Sequence, residues 1–94
     1  MLLKNELPKI ITSEVPGPKS SEIIKRRAAV VPNAIRCIYP CVMEKAAGAM
    51  IQDPDGNLFL DWVGGVGVLN VGHTHPALVE AVKNQAYPFH STVL

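Results

Sequence analysis

The sequence predicts an α+β segment made of an extended N-terminal arm, a short helix, a β-hairpin, a glycine-rich loop and an amphipathic helix. Three observations lead there. Pro8, Pro16, Gly17 and Pro18 crowd the first twenty residues and exclude both helix interior and central strand. A period-two apolar pattern follows the turn sequence DPDGN at 53–57. Gly64, Gly65, Gly67 and Gly72 then fall close together and run directly into the helical pattern ALVEAVKNQA.

Bulk properties narrow the classes of function. The 94 residues leave room for one domain at most. A composition 48% hydrophobic and 18% charged excludes a disordered chain, and a formal net charge of +1 excludes a partner held mainly by charge, so neither nucleic acid nor membrane is expected. No run approaches the roughly 18 consecutive apolar residues of a membrane span. The start MLLKNELPK places Lys4, Glu6 and Lys9 where a signal peptide needs its apolar stretch, so a cytoplasmic location is expected, with Cys37 and Cys41 as reduced thiols.

The arm covers 1–19. Ser20 and Ser21 are placed to cap a helix over about 20–31, in which Ile23, Ile24, Arg27 and Ala28 recur at helical spacing before Pro32 ends it. Lys25, Arg26 and Arg27 spread around most of the helix circumference and read as a solvated face. From 33 to 44 the pattern is apolar but irregular, and Pro40 argues against a central strand. The hairpin is expected over about 48–62, with Leu58, Leu60 and Trp62 on one face opposite Phe59 and Asp61. Pro54 presets φ in its turn and Gly56 supplies the left-handed position. Asp61, just before the glycine loop at 64–75, is placed to accept backbone N–H groups. Thr74 or His75 is placed to cap a second helix over about 76–86, with Pro76 in its first turn. Leu78, Ala81, Val82 and Gln85 form one stripe of that helix, and Pro88 ends it.

Local chemistry does not assemble a mechanism. Cys37, Cys41, His73 and His75 could be drafted as a zinc set, but the cysteines straddle Pro40 and the histidines sit in another element, so no metal is expected. His73 reads instead as a side chain that pins the glycine loop. The loop opens a helix, as phosphate cradles do, yet neither GxGxxG nor GxxxxGK[ST] is present. No Ser/His/Asp or Cys/His set and no carboxylate pair stands at useful spacing.

The series AAGAMIQDPDGNLFLDWVGGVGVLNVGHTHPALVEAVKNQ, from Ala46 to Gln85, resembles the N-terminal region of class III pyridoxal-phosphate aminotransferases. The preceding PGPKSSEIIKRR resembles the 4-aminobutyrate branch of that family. Specificity comes from the combination of DxDGN, an Asp followed by an aromatic and a GG pair, and LNxGHxHP. The resemblance implies the N-terminal part of a fold-type-I transferase: a homodimer whose large domain is α/β, with a smaller α+β domain. It further implies pyridoxal 5'-phosphate as cofactor and transfer of an amino group from an ω-amino acid, 4-aminobutyrate being the expected donor, to 2-oxoglutarate.

Carried over residue by residue, the position after the GG pair lies in the substrate pocket, which makes Val66 the substrate-binding candidate, with Gly64, Gly65 and Gly67 shaping the loop. No residue of the chain is assigned to the cofactor. The family's catalytic lysine, the aspartate under the pyridine ring, the phosphate loop and the carboxylate-binding arginine lie downstream of the matching region, and Lys45 and Lys83 sit in no matching motif. The chain alone is therefore expected to lack the catalytic lysine, to hold no pyridoxal phosphate and not to transaminate. The alternative is a non-catalytic interaction fragment that binds a partner chain through apolar faces. Either way the isolated 94-residue chain is expected to be partly ordered and prone to aggregate, because a lone two-stranded hairpin is marginal. A cooperative thermal transition with a well-dispersed amide spectrum would overturn that expectation.

Overall fold

The computed structural model describes residues 5–89. Its elements run α1 (Pro18–Val30), β1 (Lys45–Ala47), β2 (Met50–Gln52), β3 (Leu58–Leu60), a single turn α2 (Gly64–Gly67) and α3 (Pro76–Phe89). The three strands form one antiparallel meander in the order β1-β2-β3. Lys45 faces Gln52 across the first pair, and Ile51 faces Phe59 across the second. The arm adds to the free edge of β3: Lys9 donates to the Leu58 carbonyl at 2.9 Å and accepts from the Leu58 N–H at 2.8 Å.

Three sequence expectations are corrected by this arrangement. The hairpin is one strand larger than expected, because β1 pairs with β2 through the tight turn at Gly48 and Ala49. The first helix starts at Pro18, with Gly17 as its N-cap, so Ser20 and Ser21 lie within it. Pro18 fits there because a first-turn residue has no intrahelical N–H bond to lose. The second helix is not ended by Pro88, which lies within it at its last described turn.

The apolar core is small: Ala46, Ala47, Met50 and Leu58 are buried. The expected Leu58–Leu60–Trp62 face does not form one buried surface. Leu58 is covered, but Leu60 is 41% exposed and Trp62 87% exposed, because among the described residues no helix packs against the sheet. Polar groups take over the organising role. Asn57 is 0% exposed and Asp53 1% exposed, and together they tie the turn to the arm. Asp53 Oδ1 accepts from the backbone N–H groups of Asp55 (3.0 Å) and Asn57 (2.8 Å), while its Oδ2 accepts from Asn57 Nδ2 at 2.8 Å. Asn57 Oδ1 accepts from the N–H groups of Ile11 (2.8 Å) and Thr12 (3.1 Å), and its Nδ2 also donates to the Thr12 hydroxyl oxygen at 2.9 Å.

The same turn caps α1 from a distance of thirty-odd residues in sequence. Asp55 Oδ1 accepts from the Lys19 N–H at 2.8 Å and Oδ2 from the Ser20 N–H at 2.9 Å, satisfying first-turn donors that the helix cannot. Desolvation acts to raise the Asp55 pKa, but the bonds from Ser20 and Lys19 and the Lys19 charge hold it below its ordinary value. The close approach explains Gly17: a Cβ there would lie 2.5 Å from Asp55 Cγ. At the far end of α1, Arg27 donates from its guanidinium to the Ile35 carbonyl.

Replacement Asn57→Ala removes both the acceptor for the arm and a donor to Asp53, leaving buried groups unpaired. Amide exchange at Ile11 and Thr12 is expected to accelerate by at least about tenfold, the loss of roughly one hydrogen bond's worth of protection. Unchanged exchange at both amides would show that the arm is held elsewhere.

Candidate functional site

The glycine-rich stretch is a loop closed at its neck. Asp61 donates its backbone N–H to the Ala49 carbonyl at 2.8 Å, which fixes the loop's start on the turn between β1 and β2. His73 fixes its end on the same turn, donating to the Gly48 carbonyl at 2.8 Å and accepting from the Gly48 N–H at 3.0 Å. Side chains complete the closure: His73 Nε2 lies 2.6 Å from Asp61 Oδ2. The other Asp61 oxygen accepts from the N–H groups of Val63 (3.0 Å) and Gly64 (2.9 Å). Gly72 is required beside this junction, because at φ +82 a Cβ would sit 2.8 Å from the Gly48 carbonyl oxygen.

Between the two anchors the backbone turns the opposite way to an ordinary helix. Gly64, Gly65, Val66 and Gly67 all lie at positive φ, with Val66 at φ 62, ψ 44. Left-handed conformation costs an L-residue roughly 1–2 kcal/mol, and glycine escapes most of it. Three of the four positions are glycine, so the strain falls on Val66 alone, a β-branched residue at an angle such residues rarely adopt. Its side chain is 85% exposed, so local packing does not account for that conformation.

Two concavities flank the loop. One of about 310 Å³ lies between the loop and α3 and is lined by Leu69, Leu78, Val79 and Val82 with Lys83 at its edge. A smaller one of about 150 Å³ lies beside Gly48, His73 and His75. Val66 lines neither; it stands on the outer surface of the turn. Of the two candidate caps for α3, the structure selects His75, whose Nδ1 accepts from the Ala77 N–H at 3.3 Å. Thr74 instead donates its hydroxyl to the Ala46 carbonyl at 3.1 Å.

The drafted zinc set is not brought together. His73 is engaged by Asp61, His75 caps α3, and Cys37 and Cys41 are exposed free thiols, Cys37 donating to the Tyr39 carbonyl. Desolvation, followed by the nearby charges of Asp53, Asp61 and Cys37, raises the Cys41 pKa, which disfavours the thiolate a metal needs. Among the described residues no group of three or more His, Cys, Asp or Glu could hold a metal ion. No described helix is long and apolar enough to cross a membrane.

The site features the structure establishes are thus a strained, outward-facing valine on a glycine turn and a polar junction that closes the neck of the loop. The family model described as Aminotransferase class-III matches residues 31–93. The chain belongs to the class III aminotransferase family. It is 38% identical over 82 residues to a 4-aminobutyrate aminotransferase of Mycobacterium leprae, covering 87% of this chain and 18% of that protein. It is 40% identical over 81 residues to an alanine/serine racemase of Pyrococcus horikoshii, covering 85% and 17%. In fold it is similar to ornithine δ-aminotransferase of Plasmodium falciparum, with a TM-score of 0.66 and 24% identity over 72% of this chain and 17% of that one. The chain thus spans less than a fifth of the length of these relatives.

Pyridoxal phosphate, which the family implies, finds no fitting set among the described residues. Lys9, Lys19, Lys25, Lys45 and Lys83 are all exposed, whereas a lysine that forms a Schiff base is commonly activated by desolvation. Ser20, buried in the first turn of α1, lies against the Asp55 carboxylate that already occupies that helix end. No step through the cofactor is therefore assigned to this segment.

The neck carries a pH dependence of definite sign. Hydrogen bonds from the Gly64 N–H first, then from His73 and from the Val63 N–H, outweigh desolvation and hold the Asp61 pKa below 3.8. A lowered folded pKa stabilises above the unfolded value, and that contribution disappears as pH falls through the folded one. The Val63 and Gly64 amide resonances are therefore expected to titrate together at low pH, with a midpoint below the ordinary carboxylate value of 3.8. A midpoint above that value would show that the neck does not favour the ionised carboxylate.

Proposed function

We propose that this chain is the N-terminal part of a pyridoxal-phosphate-dependent transaminase that moves an amino group from an ω-amino acid, 4-aminobutyrate being the favoured donor, to 2-oxoglutarate. One observation carries the contribution of this segment: Val66 is held in a strained left-handed conformation with its side chain 85% exposed. Strain of this kind persists where the surrounding structure imposes it, and such residues cluster at ligand sites. In the assembled enzyme Val66 would line the substrate pocket along the donor's carbon chain, where a small branched apolar group fits an unadorned ω-amino acid. The cofactor, bound by other parts of the enzyme, would supply the electron sink. This segment's own work would be to shape the pocket and exclude water from one side.

The exposed apolar residues support a segment covered by further protein. Leu7, Trp62, Val66, Val68 and Ile38 stand largely uncovered, and a second subunit of a homodimer together with a large domain would account for that surface. The similarity to an alanine/serine racemase keeps a second chemistry in view for the assembled protein, because the same segment accompanies racemisation in that relative. Amino transfer to 2-oxoglutarate, assayed against loss of optical activity of alanine or serine, separates the two.

In the enzyme carrying this segment, Val66→Tyr is expected to narrow the pocket and lower kcat/KM for 4-aminobutyrate relative to ornithine by about tenfold, the scale of one misfit in an apolar pocket. An unchanged ratio would show that Val66 does not meet the donor.

A further inference from the structure

We propose that Asp61 and His73 are positioning residues for donor selectivity: their contact closes the neck of the loop and thereby holds the turn that presents Val66. The inference rests on the reading of Val66 as a wall of the substrate pocket. It starts from where the loop is tied. Every hydrogen bond found for 65–71 is local: Val66 and Gly67 donate to the Val63 carbonyl, Val68 and Leu69 to the Gly64 carbonyl, and Gly72 to the Leu69 carbonyl. Among the described residues, no hydrogen bond from outside the loop reaches 65–71. Its conformation is therefore fixed from its ends, at Asp61 and His73.

Both ends are pinned twice, by backbone bonds to the β1–β2 turn and by the 2.6 Å contact between the two side chains. Asp61 does more than close the neck. By accepting from both Val63 and Gly64, it orients the peptide groups that immediately precede the left-handed residues. The carbonyls of Val63 and Gly64 then receive the four bonds that wind the turn. A chain of contacts thus leads from the His73 imidazole through the Asp61 carboxylate to the peptide that starts the turn, and from there to the φ of Val66. Neither side chain touches the tip, and both act on it through the backbone.

Charge and shape at the neck allow a rescue test. A glutamine at 73 places an amide N–H near the position of the imidazole Nε2, whereas alanine leaves the carboxylate without its partner. In the full-length protein, Asp61→Ala and His73→Ala are each expected to change the kcat/KM ratio of 4-aminobutyrate over ornithine by about fivefold or more, with His73→Gln returning it to within about twofold. The double variant should shift the ratio no further than Asp61→Ala alone, because His73 acts through that carboxylate. If an alanine variant does not accumulate, His73→Asn, whose amide stops short of Asp61, carries the same comparison.

A second measurement follows the loop directly: thermolysin cleavage before Val66, Val68 or Leu69 should accelerate in the alanine variants and return towards the parent rate in His73→Gln. Should Val66→Tyr shift the donor ratio while Asp61→Ala and His73→Ala leave it unchanged, the positioning role is overturned and the reading of Val66 stands. If Val66→Tyr has no effect, that reading falls and takes with it the selectivity role of the neck, whatever the cleavage rates show. Faster cleavage without a change in donor ratio, in protein where Val66→Tyr does shift it, assigns the pair to loop stability alone and likewise overturns the proposal.

Discussion

The fold depends on the buried pairing of Asp53 with Asn57 across a five-residue turn. Five residues of the chain meet there: Asp53 and Asn57 from the turn, Asp55 at its tip, and Ile11 and Thr12 from the arm. A buried polar group is costly without partners and specific with them. Here the Asp53 carboxylate and the Asn57 amide are both paired, so the turn can bring a proline-rich arm onto the edge of β3 and cap a helix that shares no core with the sheet. With only four buried apolar residues among those described, hydrophobic packing alone offers little to select this arrangement.

A second polar junction, Asp61 with His73, does for the glycine loop what the turn does for the arm. Both rest on the same short sheet, one at each end of β3. The division of labour follows from size. A segment this small cannot bury enough apolar surface to order its loops, so carboxylates that accept backbone N–H groups set their geometry. The apolar residues left over, Trp62 and Val66 among them, are exposed.

Much of this was legible along the chain. The DPDGN turn, the prolines of the arm and the GHTHP run into a helix are local signals, each written in a few consecutive residues. The polar roles of Asp61 and His73 were also readable, since an Asp before a glycine run and a His after it have few other partners. What local reading missed is equally specific. Strand β1 escaped notice because KAA is too short to show alternation, and its pairing is decided by the Gly48–Ala49 turn. Ser20 and Ser21 looked like caps, but Asp55, thirty-five residues away, does the capping, and no local pattern announces a cap supplied from elsewhere. The outward turn of Leu60 and Trp62 was hidden for a related reason: period-two spacing marks a shared face and is silent on whether anything covers it.

The sequence by itself determined the family and the turn chemistry, because those reside in residue types at fixed spacing. Only the tertiary structure decided that the loop's neck is closed by a carboxylate and an imidazole, that His75 and not Thr74 caps α3, and that Val66 carries the strain of a left-handed turn. Those outcomes depend on which groups come within hydrogen-bonding reach once the chain has folded back on itself, and on the sign of a backbone angle that glycine neighbours permit but do not by themselves require of a valine.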